Sequence, residues 1–420
     1  MYHIKRSRNL SWAVTIWWSK NAWLPLIAAA LLIKGKITLL NMPDIVDIHD
    51  FLHFYTSLGV TYSFKKNTLH LDTRNISLKH IDTSRISRTR ASVYLMAGLL
   101  SRFGKAKIPF PSGDKIGKRP IDEHIDGYIA MGYKKHASRD EIVFSGHGSN
   151  DNVKVTAYFA VTATANLIMG AATRMGVTRI ELAAFEPHIF NLVDFLRSAG
   201  VQIDVYYDHT IVVYGNCNLT SKIQHEVISD YLQSGTFIII WALCAKKYID
   251  IHRARIKDLW AFLYKLHETG VKTENLWNDT LRVYRAKKLQ AIHIQTNIFP
   301  WFPTDLMPLF TVLMTQCKGV SRIHEILYEW RLNWLIEYER LWVSPRIINL
   351  HEAKIEGPTK LQWARVNSWD LRSGAAMVIA GLIAQQETTV EKIYWIHRGY
   401  DDFIWKLQGL GARIQEIHPQ

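Results

Sequence analysis

A long apolar segment with helical character recurs six times along the chain, and this repetition limits the folds that the chain can adopt. Each copy is apolar on nearly all sides, so each is predicted to be a buried helix. Each copy ends in a turn, and a short strand is predicted to follow it. The copies begin near Asn21, Arg90, Thr164, Ser234, Thr304 and Arg372, and their turns lie at Gly35, Gly104, Gly176, Lys247, Gly319 and Glu387.

A second, amphipathic helix is predicted in every unit, and a glycine that can adopt the left-handed cap conformation ends it. These glycines are Gly59, Gly132, Gly200, Gly270 and Gly411, and Trp342 holds the equivalent position in the remaining unit. The successive spacings are 73, 68, 70, 72 and 69 residues. Because this period is too long for a solenoid repeat, each unit is predicted to be a small module with its own sheet.

The alternation of helix and strand within each unit places the fold in the α/β or α+β class. Three units per domain predict two similar domains, one formed by residues 20–229 and the other by residues 1–19 together with 230–420. A strand is predicted at Trp12–Trp18. It could pair with the second half of the chain and complete that lobe.

The charge balance indicates what kind of partner the chain can bind. The 420 residues include 51 basic and 37 acidic side chains, so the net charge is +14. Such an excess favours nucleotides, phosphorylated metabolites, nucleic acid or a membrane surface. The chain contains no zinc knuckle, ribonucleoprotein motif or unbroken basic run, which argues against nucleic acid.

The cysteines and the N-terminal segment indicate a compartment. Cys217, Cys244 and Cys317 lack metal-ligand spacing, and an odd count argues against a disulfide framework, so a reducing cytoplasm fits. The apolar segment Ala22–Ile33 contains Pro25 and is too short to span a bilayer. It is predicted to be a buried helix, with neither export nor a membrane span.

The segment Ile108–His124 combines prolines, glycines and charges in an unusual way. Its prolines and glycines exclude a regular helix or a central strand, so it is predicted to be a shaped loop, and Pro120 could open the next helix at its first position. An acid on a mobile loop among cations suits proton transfer to a bound polyanion, whereas a solvated basic turn is the alternative. The acid is Asp114, and the cations are Lys107, Lys115, Lys118 and Arg119.

Charged and polar residues also stand at the starts of the predicted helices. A basic side chain there opposes the helix dipole, and a bound anion would compensate. A surface ion pair usually explains one such arginine, but the recurrence favours two lobes whose helix starts converge on a polyanion. The residues are Lys20, Asn21, Arg90, Thr304, Asp305 and Arg372 in the buried helices, with Arg119, Arg255, Arg331 and Arg398 near the amphipathic ones.

The sequence gives only weak indications of a catalytic histidine or of a cofactor-binding motif. His124 could contact a base or a phosphate, although a lone histidine is more often a satisfied surface residue. The chain contains no Walker loop, no GxGxxG after a strand, no HExxH and no nucleophile elbow. Neither a metal nor a cofactor is therefore predicted. The charges alone indicate an enzyme or a binder for phosphates and carboxylates.

Six ordered motifs resemble those of one enzyme family over essentially the whole length. They are SKNAWLP at Ser19–Pro25, TRASVYLMAGLLSRFG at Thr89–Gly104, PSGDKIGKRPIDEHI at Pro111–Ile125, FPTDL at Phe302–Leu306, WDLRSGAAMVIAGLIA at Trp369–Ala384 and IYWIHRGYDDFIWKLQGLGA at Ile393–Ala412. On these motifs the chain resembles the UDP-N-acetylglucosamine enolpyruvyl transferases, in the superfamily of 5-enolpyruvylshikimate-3-phosphate synthase. The resemblance implies a two-domain, inside-out α/β barrel of six βαβαββ units, with substrates bound in the cleft between the domains.

The resemblance also implies a reaction. The enolpyruvyl group of phosphoenolpyruvate would pass to the 3′-hydroxyl of UDP-N-acetylglucosamine by addition and elimination, releasing phosphate, as the first committed step of peptidoglycan synthesis. The family positions imply catalytic roles for Lys20, Asp114, Asp305 and Arg398, with Asp305 placed to take the proton from the sugar hydroxyl. They imply substrate contacts at Asn21, Arg90, Arg119, Pro120, Ile121, Asp122, His124, Leu327, Arg331 and Arg372. They imply no cofactor.

The chain departs from the family pattern at several motifs. Asp114 stands where most members have cysteine, Val46 replaces a common lysine, and His397 replaces an aspartate. The segments Trp17–Ser19, Val161–Thr164 and Asp230–Gly235 also differ from the usual family sequences. Two alternatives therefore stay open. One is a relative with the same fold that uses another nucleotide or sugar-nucleotide acceptor, and the other is a non-catalytic sugar-nucleotide sensor.

Overall fold

The structure is a computed structural model that describes all residues except 111–115, 118, 217, 401 and 418–420, and all side chains among them except that of Arg88. Asp114, Lys115, Lys118 and Cys217 lie outside the described residues, and so do the predictions made for them.

Thirteen α-helices are present among the described residues. Among the described residues they are α1 (Lys20–Ala30), α2 (Val46–Ser57), α3 (Leu95–Phe103), α4 (Asp122–Ala130), α5 (Val161–Ala172), α6 (Pro187–Ser198), α7 (Tyr231–Cys244), α8 (Trp260–Glu268), α9 (Met307–Met314), α10 (Ile336–Arg340), α11 (Leu371–Ile383), α12 (Tyr394–His397) and α13 (Phe403–Gly409). No helix in this described part is long and apolar enough to cross a membrane.

The strands are short, and none exceeds six residues among those described. They are β1 (Tyr2–Lys5), β2 (Ala13–Thr15), β3 (Lys36–Leu40), β4 (Thr61–Lys65), β5 (Thr68–Asp72), β6 (Lys105–Pro109), β7 (Lys134–His136), β8 (Glu141–Ser145), β9 (Val153–Thr156), β10 (Val177–Glu181), β11 (Gln202–Tyr206), β12 (Thr210–Tyr214), β13 (Lys222–Glu226), β14 (Tyr248–His252), β15 (Thr273–Leu276), β16 (Thr280–Tyr284), β17 (His293–Gln295), β18 (Gly319–His324), β19 (Arg346–Asn349), β20 (Glu352–Gly357), β21 (Arg365–Asn367), β22 (Thr388–Glu391) and β23 (Arg413–Glu416).

Five of the six sheets share one pattern of pairing. The strand after a buried helix pairs in parallel with an edge strand and antiparallel with a second central strand, which in turn pairs antiparallel with the other edge. The five strand orders are β13-β3-β5-β4, β9-β10-β12-β11, β2-β14-β16-β15, β17-β18-β20-β19 and β21-β22-β1-β23. The sixth sheet, β6-β8-β7, has three strands among the described residues.

The six predicted buried helices are confirmed. α1, α5, α7 and α11 begin within three residues of the predicted positions, and almost all of their side chains are buried. The other two, α3 and α9, begin as 3₁₀ turns over Arg90–Tyr94 and Thr304–Leu306 before they become α-helical. The strands predicted after these helices are also present, as β3, β6, β10, β14, β18 and β22.

The glycine positions at the ends of the amphipathic helices are confirmed as left-handed. The five glycines have φ between 88° and 96°. Trp342, at the equivalent position after α10, has φ 67°, so it adopts the same conformation despite its Cβ. A bulky residue with a left-handed backbone conformation is strained, because its Cβ approaches the following carbonyl oxygen.

The N-terminal segment supplies strands to two sheets. β2 pairs in parallel with β14, joining Ala13 to Asp250 and Thr15 to His252, which confirms the predicted pairing with the second half. The sequence analysis missed β1, which lies between β22 and β23 and is antiparallel to both. Its residues alternate between the buried Tyr2 and Ile4 and the more exposed His3 and Lys5. Four residues are too few for this alternation to stand out against the basic surroundings.

The described chain divides into two compact units. The first unit comprises the described residues within Met1–Trp17, Asp114–Lys118 and Ser229–Gln420, and the second comprises those within Trp18–Gly113 and Arg119–Ile228. The sequence analysis placed these boundaries at 19/20 and 229/230. Each unit has its own continuous hydrophobic core, built around α1, α3 and α5 in the second unit and around α7, α9 and α11 in the first.

The predicted loop at Ile108–His124 is shorter than expected. β6 extends through Pro109, which is tolerated because β6 is an edge strand. α4 begins at Asp122, so Pro120 precedes the helix by two residues and does not open it. The prediction of Pro120 as a first helical residue is therefore wrong.

Candidate active site

In the second unit, Lys20 is held by a buried carboxylate. Its Nζ lies 3.1 Å from Oδ2 of Asp47, and the side chains are 13% and 3% exposed. Lys20 is the first residue of α1, and Asp47 lies in the first turn of α2, where an acidic residue complements the helix dipole. The pair fixes the ammonium group at the start of α1, beside the half-buried Asn21.

Arg90 is joined to the segment that precedes α4. Its Nη1 donates to the carbonyl oxygen of Arg119 at 2.8 Å, and its Nη2 donates to that of Pro120 at 2.9 Å. The two predicted arginines are thus brought together in the second unit by a side chain–backbone contact. Ile121 and Asp122 follow directly, with Asp122 exposed in the first turn of α4.

His124 is buried in α4 and bonded through both ring nitrogens. Asn166 Nδ2 lies 3.0 Å from its Nδ1, and Thr162 Oγ1 lies 3.3 Å from its Nε2. An amide nitrogen can only donate, so the ring proton is assigned to Nε2. Burial, followed by the nearby charge of Arg90, lowers the pKa of His124 to about 3. The ring is therefore neutral and joins α4 to α5, which differs from the expected surface histidine.

In the first unit, the carboxylate of Asp305 is held by two arginines. Its Oδ1 lies 2.8 Å from Nη2 of Arg331, and its Oδ2 lies 3.3 Å from Nε of Arg372. Both arginines are 2% exposed, whereas the Asp305 side chain is 31% exposed. Two opposite charges favour the ionised form of the carboxylate. The arrangement can therefore present a carboxylate base that solvent, and hence a substrate, can reach.

Arg372 also has a second set of partners. Its Nη2 lies 4.0 Å from Oδ2 of Asp230, and its guanidinium lies 5.2 Å from the ring centre of Tyr400, whose hydroxyl is 2.8 Å from Thr236 Oγ1. Burial opposes the charge, but Tyr400, Asp305 and Asp230 raise the pKa of Arg372 above its ordinary value. Its Nη1 has no hydrogen-bond partner among the described residues, so one buried donor remains for a ligand oxygen.

The side chain of Asp230 caps α7 as well as facing Arg372. It accepts a hydrogen bond from the backbone N–H of Leu232 at 2.8 Å. Burial raises the pKa of this carboxyl, whereas Arg372 and the backbone N–H groups oppose that rise. The pKa of Asp230 is raised on balance because burial is the largest influence, and the charge pair with Arg372 and the helix start offset only part of the rise.

The predicted contact residue Leu327 lies beside a fully buried glutamate. The carboxylate of Glu325 accepts from the Leu327 N–H at 2.9 Å, from the Tyr328 N–H at 3.3 Å and from Thr304 Oγ1 at 2.6 Å. Glu325 thus joins the turn before Arg331 to the turn that carries Asp305. It positions both parts of the cluster.

Arg398 is the last catalytic residue predicted for the first unit. It is 8% exposed, and its guanidinium lies 5.6 Å from the ring centre of Trp395. Arg398 follows α12 and precedes α13 by five residues, so it lies at the end of one helix and not at the start of the next. His397, its neighbour, is 3.2 Å from the hydroxyl of Tyr2.

Two described residues of the loop contact the turn before Arg331. The N–H of Trp330 donates to the carbonyl of Ile116 at 3.1 Å. Gly117 has φ 147°, a backbone conformation that favours glycine, and a Cβ there would lie 2.5 Å from the carboxylate at the end of the Glu329 side chain. Asp114 lies outside the described residues.

The sequence analysis missed several residues that complete these clusters. Asp47 had one signal, an acid in the first turn of a predicted helix. Asp230 lies before a predicted buried helix, which is typical of an N-cap. Glu325 and Tyr400 had no signal in sequence spacing, because each reaches its partner only through tertiary packing.

Comparison of the sequence with known proteins identifies the family of this chain. Residues 4–407 match the family model of EPSP synthase (3-phosphoshikimate 1-carboxyvinyltransferase). UDP-N-acetylglucosamine 1-carboxyvinyltransferases from Trichlorobacter lovleyi and Buchnera aphidicola are each 35% identical over 418 residues, covering 99% of this chain and 98% and 99% of the relatives. The enzyme of that name from Finegoldia magna is 34% identical over the same length.

Solved structures show the same fold. The enolpyruvyl transferase NikO from Streptomyces tendae aligns with a TM-score of 0.88 over 99% of this chain and 98% of its own, at 21% identity. EPSP synthase from Acinetobacter baumannii aligns with a TM-score of 0.76 over 99% of both chains, at 14% identity. The expected two-domain α/β fold of six βαβαββ units is therefore confirmed. The chain belongs to the EPSP synthase family of carboxyvinyltransferases, and its sequence groups it with the UDP-N-acetylglucosamine 1-carboxyvinyltransferases.

Proposed function

We propose that this protein transfers the enolpyruvyl group of phosphoenolpyruvate to the 3′-hydroxyl of UDP-N-acetylglucosamine and releases phosphate. The observation that carries the proposal is the Asp305 carboxylate, held by Arg331 and Arg372 and still open to solvent. The full-length similarity to enzymes named for this reaction supports the choice of substrates. No cofactor takes part, and the reaction is the first committed step of peptidoglycan synthesis, in the cytoplasm.

The cluster in the first unit supplies the chemistry at the reacting centre. Asp305 takes the proton from the sugar hydroxyl while the hydroxyl oxygen bonds to the central carbon of phosphoenolpyruvate. The methylene carbon receives a proton, for which the acid is Asp114. The tetrahedral adduct then loses a methyl proton and its phosphate, so that the carbon–carbon double bond forms again.

Arginines hold the anionic groups of phosphoenolpyruvate. Arg331, Arg372 and Arg398 are buried guanidinium groups that can form bidentate, charge-assisted hydrogen bonds with carboxylate and phosphate. The unused Nη1 donor of Arg372 fits this role. Leu327 contributes a backbone contact to the sugar nucleotide. Charge at the reacting centre is thus stabilised by preorganised groups.

The second unit binds the nucleotide in this proposal. Arg90 and Arg119 face its phosphates, and the segment through Pro120, Ile121, Asp122 and His124 runs along it. Lys20 and Asn21 contact phosphoenolpyruvate and the sugar. The Arg90 contacts with the carbonyls of Arg119 and Pro120 support this role, because they fix the segment before a ligand arrives.

Phosphate release from phosphoenolpyruvate tests the proposal directly. UDP-N-acetylglucosamine is expected to support turnover at least tenfold better than UDP-glucose or shikimate 3-phosphate. A comparable rate with another acceptor would move the protein to a different substrate. No phosphate release with any acceptor, while UDP-N-acetylglucosamine still binds, would make it a sensor.

A matched pair of variants separates catalysis from folding. Asp305→Asn is expected to abolish most turnover. Asp250→Asn changes an aspartate that also pairs with an arginine, Arg282, at 2.8 and 2.9 Å, on a sheet of the same unit. That control is expected to keep the activity of the unchanged protein.

A further inference from the structure

The three buried helices of the first unit run in the same direction, so their ends form a second face of that unit. Their starts carry Asp230, Asp305 and Arg372, which lie together. Their ends are covered by loops that join one another through backbone hydrogen bonds. Leu10 N–H donates to Cys244 O at 3.0 Å, and Thr359 N–H donates to Thr315 O at 2.8 Å. The 14 residues of α7 separate the two faces by roughly 20 Å.

We call the loops at this face the basic pole. They are residues 5–12, 245–248, 285–291, 316–318, 341–343, 356–364 and 384–387, all in the first unit. These 38 residues contain ten basic and two acidic side chains, a net charge of +8 out of +14 for the whole chain. Six exposed lysines of the basic pole form no ion pair with any described residue: Lys246, Lys247, Lys287, Lys288, Lys318 and Lys360.

The positive charge of the basic pole is larger than is needed to complement the dipoles of the three helices. Cations near helix ends complement the dipole, but the effect is limited to the last turn. Here the arginines repel one another. Burial, and then the charges of Arg6 and Arg285, lower the pKa of Arg8. The Nε atoms of Arg6 and Arg8 are buried without a hydrogen-bond partner among the described residues. A bound anion would reduce the repulsion among the arginines and would accept hydrogen bonds from the buried Nε donors.

Three tryptophans of the basic pole are exposed. The exposed fractions are 78% for Trp12, 72% for Trp342 and 59% for Trp363. The backbone of Trp12 has φ 82° and that of Trp342 has φ 67°, so both hold a strained conformation without gaining burial. Trp342 and Trp363 are near each other, because Gln362 N–H donates to Leu341 O at 3.1 Å. Exposed indole rings beside a cluster of cations indicate a binding surface.

We propose that the basic pole docks this protein on a bilayer surface rich in anionic phospholipids. Lysines attract anionic headgroups, and indole rings have their preferred place at the membrane interface. The cations come from separate loops and include seven lysines and three arginines, which suits an extended charged surface. A single-stranded nucleic acid would instead require a groove with stacking platforms and is the weaker match. In the docked protein the cluster around Asp305 lies at the end of the helices away from the bilayer.

Co-sedimentation with lipid vesicles tests this proposal. The protein is expected to bind vesicles of phosphatidylglycerol and phosphatidylcholine, not vesicles of phosphatidylcholine alone, and to dissociate as salt increases. A variant that combines Lys246→Gln, Lys247→Gln and Lys288→Gln is expected to bind about 100-fold more weakly, because each lysine contributes about fivefold. Trp363→Ala is expected to weaken binding without changing the charge.

A matched triple variant controls for total charge. Lys66→Gln, Lys134→Gln and Lys135→Gln change exposed lysines of the second unit and are expected to leave vesicle binding within about twofold. All variants are expected to release phosphate from phosphoenolpyruvate at the unchanged rate in the absence of vesicles. Three results would overturn the proposal: no binding to anionic vesicles, equal losses in both triple variants, or displacement of the protein from vesicles by a single-stranded RNA oligonucleotide.

Discussion

Arg331 Nη2 lies 2.8 Å from Asp305 Oδ1, and this contact joins a nearly inaccessible cation to a carboxylate that solvent reaches. Arg372 holds the other carboxylate oxygen at 3.3 Å. The two opposite charges favour the ionised form of the carboxylate and hold its orientation before a substrate binds, which reduces reorganisation during the reaction.

Asp305→Asn is expected to lower turnover by roughly 10²–10⁴-fold, because proton removal by a positioned base contributes about that much. Binding of UDP-N-acetylglucosamine, measured by calorimetry, is expected to remain. The asparagine keeps the shape of the side chain, so the protein stays folded. Turnover within a few fold of the unchanged protein would remove Asp305 from the mechanism.

Arg398→Ala is expected to raise the KM for phosphoenolpyruvate far more than that for the sugar nucleotide. It removes one charge-assisted contact worth roughly 1.5–3 kcal/mol, or about 10- to 150-fold. Initial rates at varied concentrations of each substrate measure the difference. Arg340→Ala, in the same unit and largely exposed, is the control. Equal increases for both substrates would assign Arg398 to the folding of the site.

The family resemblance implies that fosfomycin alkylates the cysteine that most members carry where this chain has Asp114. Because Asp114 provides no thiol, the protein is expected to keep its activity in fosfomycin and to gain no covalent adduct. Cys244 and Cys317 are buried, and burial raises the pKa of each thiol to about 12, so neither is a reactive thiolate.

Intact mass spectrometry and phosphate release measure these outcomes. Asp114→Cys is expected to restore inactivation by the drug, and Asp114→Asn to lose acid donation. A mass increase of one drug molecule on the unchanged protein, or full activity of the asparagine variant, would contradict the role assigned to Asp114.

Stability is expected to fall as the pH decreases from about 6.5 to about 3, in part through His124. Its pKa is lowered to about 3 in the folded protein, while the unfolded chain has the ordinary value, so the unfolded chain binds more protons in this window. The group contributes a slope of up to about 1.4 kcal/mol per pH unit. His124→Gln is expected to reduce that slope in urea unfolding at several pH values. His80→Gln, at an exposed position, is expected to leave it unchanged.

Trp342→Gly is expected to stabilise the first unit by up to about 1 kcal/mol, because glycine adopts the left-handed conformation without steric cost. The indole is 72% exposed, so little burial is lost. Trp342→Ala keeps the strained backbone and is expected to give no such gain. Denaturant midpoints compare the two variants. A loss of stability in Trp342→Gly would show that the indole contributes packing.

The repeat and its conformational requirements were determined by the sequence alone. A helix such as α7, apolar on nearly every side, must be buried wherever the chain takes it, so six such segments predicted six core helices. Left-handed caps follow from local sterics in the same way, and even Trp342 obeys them. The motifs around Lys20, Asp305 and Arg372 also predicted that these residues begin helices.

Tertiary structure decided which of these groups meet. Lys20 and Asp47 are 27 residues apart, and Arg372 is 67 residues from Asp305 and 142 from Asp230. No local sequence pattern predicts contacts between residues so far apart in the chain, because these contacts result from how the helices and sheets pack. The same holds for β1, which reaches its partners across almost the entire chain, and for His124, whose buried hydrogen bonds to α5 depend on the packing of two helices.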